Sequence, residues 1–468
     1  MAVHVSTLFE KLGQTNAKGL GVPHMGMVVM PHPLEGRSPE EVRKQAEDAI
    51  DTIVSKLTRD SSELMAEAAG AEVIKIVGND YTDAYEQFNR LFLEKRWGDG
   101  LPLIPPTKEK VDWMLTGTDL PPDEVVVDET QPSGRPATVR QIAINAVMAG
   151  AIPAYMPVII TALRAFDEIP WGWGSVATTS ACAPMVVING PIAKQLDINS
   201  KSNALGYGWR ANAGIGRTIE MIFHCVGGAI PGVSDMSTLG NTHTYTSIVF
   251  AENQDVLDDI GWPSYAEEMG YDKKANTVHA TITMAGYKIV FPYGGVLDNP
   301  ESFMDNMIWA SAPVGGAGWL RGPNKEMSAQ MSTWVFSPEN ARCFALAGWK
   351  KYDVRNLWAA RASVEHSLPF KEFVKKIGLV RDSWLGEGTC KWIKALPDNH
   401  PVSTWSPDPR HTHIFVAGGA GLEGQFYPNF SSESYVKTIT KEIKLPKNWD
   451  EVLEKANIVP TPMPKLPW

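Results

Sequence analysis

The chain has 468 residues, and 53 acidic against 43 basic residues give it a formal net charge of -10. This length exceeds one ordinary hydrophobic core, so we expect at least two domains that each bury a core. The acidic balance argues against a nucleic-acid partner. No apolar run reaches membrane-spanning length and no signal peptide is visible, so we expect no membrane contact and a cytoplasmic location.

Residues 1–60 predict a β-α-β-α unit. The strands are Val3–Thr7 and Met25–Met30, and the helices are Leu8–Lys18 and one that begins at Pro39. Ser38 and Glu41 form a capping box before the second helix, which carries one apolar stripe. Two parallel strands cannot form a stable sheet alone, because both faces and both edges need covering. The missing strands come either from the rest of the chain or from another polypeptide.

The remaining sequence predicts a helical connector over residues 61–96 and a larger α+β domain over residues 97–468. In the domain, the segment 120–136 is expected to be a loop, and Lys288–Phe291 to pair with Thr277–Met284 across a turn at Gly286. No internal repeat is visible. The other predicted helices are Tyr81–Lys95, Thr107–Met114, one opened by Thr138, Met156–Phe166, Ile215–Val226 and Glu339–Leu346; the other predicted strands are Val176–Thr179, Met185–Ile188, Ile248–Phe250, Trp334–Phe336 and Ile414–Ala417.

The stretch Leu205–Glu252 combines glycines, cations and small polar residues, which is typical of a binding surface. A glycine-rich turn is expected to open the helix from Ile215, and its free N–H groups would favour a carboxylate or phosphate. Arg210 and Arg217 would bind that anion, and Asn212, Asn189 and Thr179 would orient it. Alternatively, the glycines only allow tight packing and the two arginines pair with nearby acids.

Other polar residues are candidates for proton transfer, catalysis or metal binding. His32 follows a parallel strand, where ligands commonly bind, and is a candidate for proton transfer. Cys182 has small polar neighbours that leave room for a ligand, although a buried thiol is the default. His243, His411 and His413 would suit a metal if the last two share one side of a strand, or they are half-exposed histidines on a strand end. Asn145, an amide inside a predicted helix, either makes a hydrogen bond within the core or faces a site.

Several segments resemble the UGSC family of (seleno)proteins, which is named for a selenocysteine- or cysteine-Gly-Ser-Cys motif. They include GLGVPHMGMVVMPHPLEGRSPEE, RPATVRQIAINAVMAGAIPAYMPV, VVINGPIAKQLDINS and IFVAGGAG, and together they span nearly all of the chain. The family's motif precedes the strand that corresponds here to Val3–Thr7, where this sequence begins without it. In addition, TTSACAP, which contains Cys182, stands where the family is expected to have TTGPAAP.

The resemblance implies thiol or selenol chemistry, with a small subunit that carries the Cys/Sec-Gly-Ser-Cys motif and completes the partial domain of residues 1–60. We therefore expect the large subunit of a hetero-oligomeric enzyme, a reductase acting on a small anionic organic substrate, whose thiol or selenocysteine comes from the partner. No other cofactor is indicated. Alternatives are a metal-dependent lyase or hydrolase that uses the histidines, and a non-catalytic subunit that binds a metabolite or acts as a scaffold.

Overall fold

The computed structural model describes residues 2–19, 25–32, 37–58, 75–169, 172–179, 181–290, 300–311, 331–372, 397–402, 405–406, 408–429 and 438–462. Within these residues, helices alternate with strands that pair in both parallel and antiparallel directions. The α/β class predicted from the sequence is therefore confirmed.

The N-terminal unit contains β1 (Ala2–Ser6), α1 (Glu10–Gly19), β2 (Gly26–Met30) and α2 (Pro39–Thr58). The two strands pair in parallel from Ala2 opposite Gly26 to Ser6 opposite Met30, and the described part of this sheet has these two strands. The capping box forms before α2, because Ser38 N donates to Glu41 Oε2 at 2.8 Å and Glu41 N donates to Ser38 Oγ at 3.2 Å. The predicted β-α-β-α order is confirmed.

The larger domain begins with helices that pack around a short hairpin. Its first elements are α3 (Tyr81–Lys95), α4 (Lys108–Leu115), β3 (Val125–Thr130), β4 (Arg135–Thr138), α5 (Val139–Ala149) and α6 (Met156–Asp167). The hairpin replaces the loop predicted over residues 120–136, where prolines, acids and two register shifts obscure the strand pattern. Phe88 of α3 packs with Leu103, Met148 and Met221, so this helix contributes to the core of the larger domain.

The other elements follow in chain order. They are β5 (Ala183–Asn189), α7 (Ile192–Gln195), α8 (Arg210–Met221), β6 (Ile248–Ala251), α9 (Gln254–Ile260), α10 (Tyr265–Glu268), β7 (Thr277–Thr283), β8 (Tyr287–Val290), α11 (Pro300–Ala310), β9 (Ser332–Phe336), α12 (Pro338–Leu346), α13 (Lys351–Glu365), β10 (Leu368–Pro369), β11 (Pro401–Val402), β12 (Thr412–Val416), β13 (Glu423–Pro428), β14 (Ile439–Glu442) and α14 (Trp449–Ala456). The strand predicted at Val176–Thr179 is wrong, since Gly174–Ala177 forms a 3-10 turn.

Two four-stranded sheets share one topology. The first has the order β6-β5-β7-β14 and the second has the order β12-β9-β13-β8. In each sheet the first two strands are parallel, and the others are antiparallel to their neighbours. The fourth strands are exchanged: β8 follows β7 but pairs with β13, whereas β14 follows β13 but pairs with β7. The predicted pairing of β8 with β7 is therefore wrong, and the structure contains an internal duplication that the sequence does not reveal.

The two sheets pack face to face with helices outside them, which gives four layers. Alternate residues of β5 and β6 meet alternate residues of β9, β12 and β13 between the sheets; this layer includes Met185, Val187, Phe250, Val335, Phe415 and Tyr427. The other faces pack against α5, α6 and α8 on one side and against α9, α11, α12 and α13 on the other. The strands are buried on both faces, so they alternate between two apolar layers.

A buried carboxylate joins the two sheets. Glu252, just after β6, accepts hydrogen bonds at Oε2 from Asn189 Nδ2 at 2.8 Å and from Tyr265 N at 2.6 Å. Its Oε1 accepts from Lys351 Nζ at 3.2 Å and from Val416 N of β12 at 3.3 Å. The side chains of Glu252 and Lys351 are both 0% exposed, so each charge depends on these partners.

We expect Glu252→Gln to lower the free energy of unfolding by about 3 to 5 kcal/mol, because it removes a partner of the buried Lys351 ammonium. Urea unfolding followed by circular dichroism measures this change. As a control, Glu451→Gln removes an exposed pair between Glu451 and Lys455 and is expected to leave the stability unchanged within error, because solvent screens this pair. Equal stability of both variants would contradict the role assigned to Glu252.

Candidate functional site

The clearest candidate site lies where β1 and β2 end. Because the strands are parallel, Ser6 and His32 meet at the same edge, with Ser6 Oγ 3.0 Å from His32 Nδ1. The backbone N–H of His32 donates to Thr7 Oγ1 at 3.2 Å, and the Phe9 ring lies edge-on to the imidazole at a centroid distance of 5.9 Å. We call Ser6, Thr7 and His32 the strand-end centre.

This centre can exchange a proton and favours negative charge. Ser6 fixes Nδ1 of the exposed His32, while Nε2 has no hydrogen-bond partner among the described residues. The 3-10 turn Thr7–Phe9 leads directly into α1, so the N–H groups at the start of this helical segment lie beside the strand ends. Such groups stabilise anions, and an imidazole with one fixed nitrogen is suited to proton transfer.

The glycine-rich turn predicted before Ile215 is wrong, because α8 already begins at Arg210. Gly214 and Gly216 lie inside this helix. A Cβ on Gly216 would lie 1.7 Å from the carbonyl oxygen of Thr246, so the close packing here requires glycine, whereas a Cβ on Gly214 would lie 3.5 Å from the Tyr155 ring, which is an ordinary contact distance. Gly216 therefore serves packing, which was the alternative interpretation of this stretch.

The predicted anion ligands already have protein partners. Arg217 donates from Nε to Asp99 Oδ2 at 2.6 Å and from a terminal nitrogen to Asp99 Oδ1 at 3.0 Å. Asn212 is buried and bonds to Asn199 N, Ala204 O and Val249 O. Arg210 is exposed and donates to Gly150 O at 3.2 Å. These contacts give Arg217 and Asn212 structural roles.

The other predicted ligands lie in separate places. Asn189 holds Glu252 and lines a cavity of about 430 Å³ at the carboxyl ends of β5 and β6, whereas Thr179 is exposed and its carbonyl accepts from Thr238 N. Cys182 is 0% exposed, and burial raises the pKa of its thiol to about 12. A protonated, inaccessible thiol is a poor nucleophile, so its surroundings do not support a catalytic role.

The three histidines proposed for a metal are not arranged as a site. His411 ends a 3-10 turn before β12, so strand alternation does not place it beside His413. His411 Nδ1 bonds to Ser406 Oγ, His413 Nδ1 bonds to Tyr265 Oη, and His243 lies against the Tyr427 ring. Within the described part of the chain, no group of three His, Cys, Asp or Glu residues is placed to hold a metal ion.

A buried polar cluster between the sheets was missed. Tyr265 Oη lies 2.7 Å from His413 Nδ1, its ring lies 4.3 Å from that of His279, and His279 Nδ1 lies 2.9 Å from Thr440 Oγ1. The Nε2 atoms of both histidines are buried without a hydrogen-bond partner in the described structure. The sequence signal that could have revealed this cluster is the alternation in β7, which turns Thr277, His279 and Thr281 toward the other sheet.

The fold and site together define an α/β protein with a parallel N-terminal unit and a histidine at its strand ends. The sequence model of the UGSC family matches residues 1–59, which coincide with that unit. The match is consistent with a UGSC family protein and confirms the resemblance for this segment. A search of curated proteins finds no match. Across the described residues, no helix is both long and apolar enough to cross a membrane.

We expect Arg217→Ala to lower the free energy of unfolding by about 2 to 4 kcal/mol, because the Asp99 carboxylate would lose its charged partner while buried. The side chains of Arg217 and Asp99 are 15% and 3% exposed. Arg210→Ala is the matched control, with an expected change of about 0.5 kcal/mol or less. An unchanged stability of Arg217→Ala would instead favour its original assignment to an anionic ligand.

We expect the protein to lose stability in mild acid. Burial lowers the pKa of His279 from 6.5 to about 3, and the nearby Lys351 charge acts in the same direction. Burial likewise holds the pKa of His413 well below its usual value. Because the unfolded chain takes up these protons first, the stabilisation is present above pH 6.5 and is lost as pH falls toward 3.

The expected slope is about 1.4 kcal/mol per pH unit for each histidine. Urea unfolding between neutral and mildly acidic pH measures this slope. His279→Asn is expected to reduce the slope by the contribution of one histidine. The assignment fails if the variant and the wild type show the same dependence on pH.

Proposed function

We propose that this chain is the large subunit of a heteromeric thiol- or selenol-dependent enzyme that reduces a small anionic organic substrate. The observation that carries the proposal is the N-terminal unit. It presents His32 at the ends of a two-stranded sheet, while apolar residues of its second helix face solvent. The UGSC match over residues 1–59 supports the same assignment.

The second helix offers a surface for another polypeptide. Val42, Ile50 and Leu57 of α2 are 43%, 53% and 55% exposed, and their spacing places them on one stripe. A contiguous apolar stripe of this kind is typical of an interaction surface. Among the described residues, β1 and β2 pair with each other and with no further strand, and open strand edges of this kind favour strand addition. We assign this surface to a small subunit that carries a Cys/Sec-Gly-Ser-Cys motif.

In the proposed assembly, the partner's thiol or selenol lies at the strand-end centre. The N–H groups before α1 and a protonated His32 would favour its thiolate or selenolate form. That anion attacks the substrate carbon and forms a carbon–sulfur or carbon–selenium bond while the C–N or C–S bond breaks, and His32 gives a proton to the leaving nitrogen or sulfur. The second thiol of the motif then attacks the sulfur or selenium of this adduct and forms a disulfide or selenenylsulfide bond. The carbon–sulfur or carbon–selenium bond breaks, and the released carbon takes up the proton that the second thiol gives up, so the motif supplies both electrons.

The bond that is reduced is proposed to be C–N, C–S or similar. Hydrolysis or elimination at the same centre would leave the motif in its reduced state, so quantifying free thiols after one turnover distinguishes these reactions. We propose that the enzyme works in the cytoplasm, where a reductant can restore the motif. The contacts of the predicted metal ligands do not favour a metal-dependent lyase.

We expect the chain made alone to self-associate or precipitate, and to form a defined complex when co-expressed with the small motif-bearing protein. Ile50→Lys should lose the complex, because a charge would enter the apolar stripe. Asp48→Lys changes charge on the other side of α2, where Asp48 pairs with the exposed Lys44, and should leave the complex intact. Size-exclusion chromatography with native mass spectrometry measures complex formation by the wild type and by both variants.

A well-behaved, active monomer or homo-oligomer made without the small protein would show that the proposed partner is not needed. A stable complex that binds a metabolite but shows no turnover would instead indicate a binding or scaffold subunit.

A further inference from the structure

A cavity of about 530 Å³ lies between α1 and the larger domain. Its walls come from the second half of α1, the end of α3, the β3–β4 hairpin, α5 and the π-helical turn Ile222–Val226 that follows α8. This volume is within the range of small-molecule sites, and such sites commonly lie where separate structural units meet.

The charged residues that line this cavity are all basic. Lys18, Arg96 and Arg135 line it, and no aspartate or glutamate does. None of these three side chains forms an ion pair with an acid in the described parts of the chain. By contrast, Arg217 nearby is neutralised by Asp99. Uncompensated cations around a cavity with apolar walls attract and retain an anion.

A buried acceptor completes the cavity. Asn145 lines it and is 3% exposed, and its Nδ2 donates to Gln141 O at 2.8 Å. This bond fixes the amide orientation, and Oδ1 remains buried without a hydrogen-bond partner. Because unpaired buried acceptors are costly and rare in folded proteins, Oδ1 is suited to accept from a donor on a ligand.

The backbone of Arg96 is a second sign of a functional constraint. Arg96 caps the C-terminus of α3 in the left-handed region, with φ of 56°, and its N–H donates to Leu93 O. Glycine is the usual residue at this position because it lacks a Cβ. An arginine held there maintains a strained conformation and places a guanidinium at the cavity.

We infer that this cavity binds a small organic anion that also carries a hydroxyl or amino donor, such as a 2-hydroxy- or 2-amino-carboxylate. The three cations hold the anionic group, and Asn145 Oδ1 accepts from the donor. The site is separate from the strand-end centre. Because α1 runs antiparallel to β1 and β2, Lys18 and His32 lie at opposite ends of the unit, roughly 15 Å apart along a helix of this length. The inference therefore does not rest on the proposed function.

Isothermal titration calorimetry of the full chain, in its complex where it needs one, tests the inference with three probes. Malate should bind, and succinate, which lacks only the hydroxyl, should bind about tenfold more weakly because Asn145 stays unpaired. Inorganic phosphate tests whether the cavity prefers a phosphate to a carboxylate. Binding of phosphate without binding of malate would overturn the carboxylate assignment, and no binding of any probe at millimolar concentration would overturn the site.

Variants locate the binding. Arg135→Ala should weaken malate by about tenfold or more, whereas Arg90→Ala, which removes an exposed arginine of α3 paired with Glu94, should not. Arg96→Gly should weaken malate while keeping or raising the melting temperature, because glycine accepts the left-handed backbone. Unchanged malate affinity in folded Arg135→Ala and Arg96→Gly would overturn the inference.

Discussion

A single buried carboxylate, Glu252, sets how the two halves of the larger domain meet. Its oxygens accept from a side chain at the end of β5, from the start of α10, from β12 in the opposite sheet and from the buried Lys351. Lys351 also lies 3.2 Å from Glu268, which pairs with Arg355. Each of these buried charges and polar groups is costly to leave without a partner. Because they are paired only when the two sheets are placed as observed, the network fixes the relative placement of the sheets.

The exchanged strands give the same domain a second constraint. Because β8 and β14 each cross to the sheet of the other half, neither half has its fourth strand without the other. The crossing points meet directly, since Thr283 at the end of β7 bridges to Asn429 after β13. The Tyr265, His279 and His413 cluster lies in the layer closed by this arrangement. The larger domain thus covers both faces of its sheets internally, whereas the described part of the N-terminal unit exposes an apolar stripe and unpaired strand edges, and this contrast motivates a partner at the N-terminal unit.

Local signals in the sequence predicted much of the secondary structure. Side-chain caps at Ser38, Thr107 and Thr138 place the starts of three helices, since such caps act within four residues of chain. Short apolar runs, and alternation in Thr277–Met284, predicted the central strands, although neither signal could assign the partner of each strand. The pairing of β8 with β13 and the duplication depend on contacts across more than a hundred residues. The bulged β3–β4 hairpin was hidden by its irregular register.

The candidate sites divide in the same way. His32 was found because it follows a strand, and residue order alone gives that position. The ion pair of Arg217 was not predicted, because its partner, Asp99, lies 118 residues away in a loop. The cationic cavity combines Lys18 of α1, Arg96 at the end of α3, Arg135 of β4 and Asn145 of α5. The sequence around each of these residues does not indicate that the three cations line one cavity without an acidic side chain. Only the folded chain brings them together.

The most direct test of the central claim is the pKa of the reactive thiol or selenol in the proposed small subunit, measured by the pH dependence of its alkylation. We expect this pKa to be lower in the complex with the large chain than in the small protein alone, and to rise again in the His32→Gln complex, because a protonated imidazole at the strand ends stabilises the anion. A pKa that is the same in the free protein, the wild-type complex and the His32→Gln complex would contradict the account.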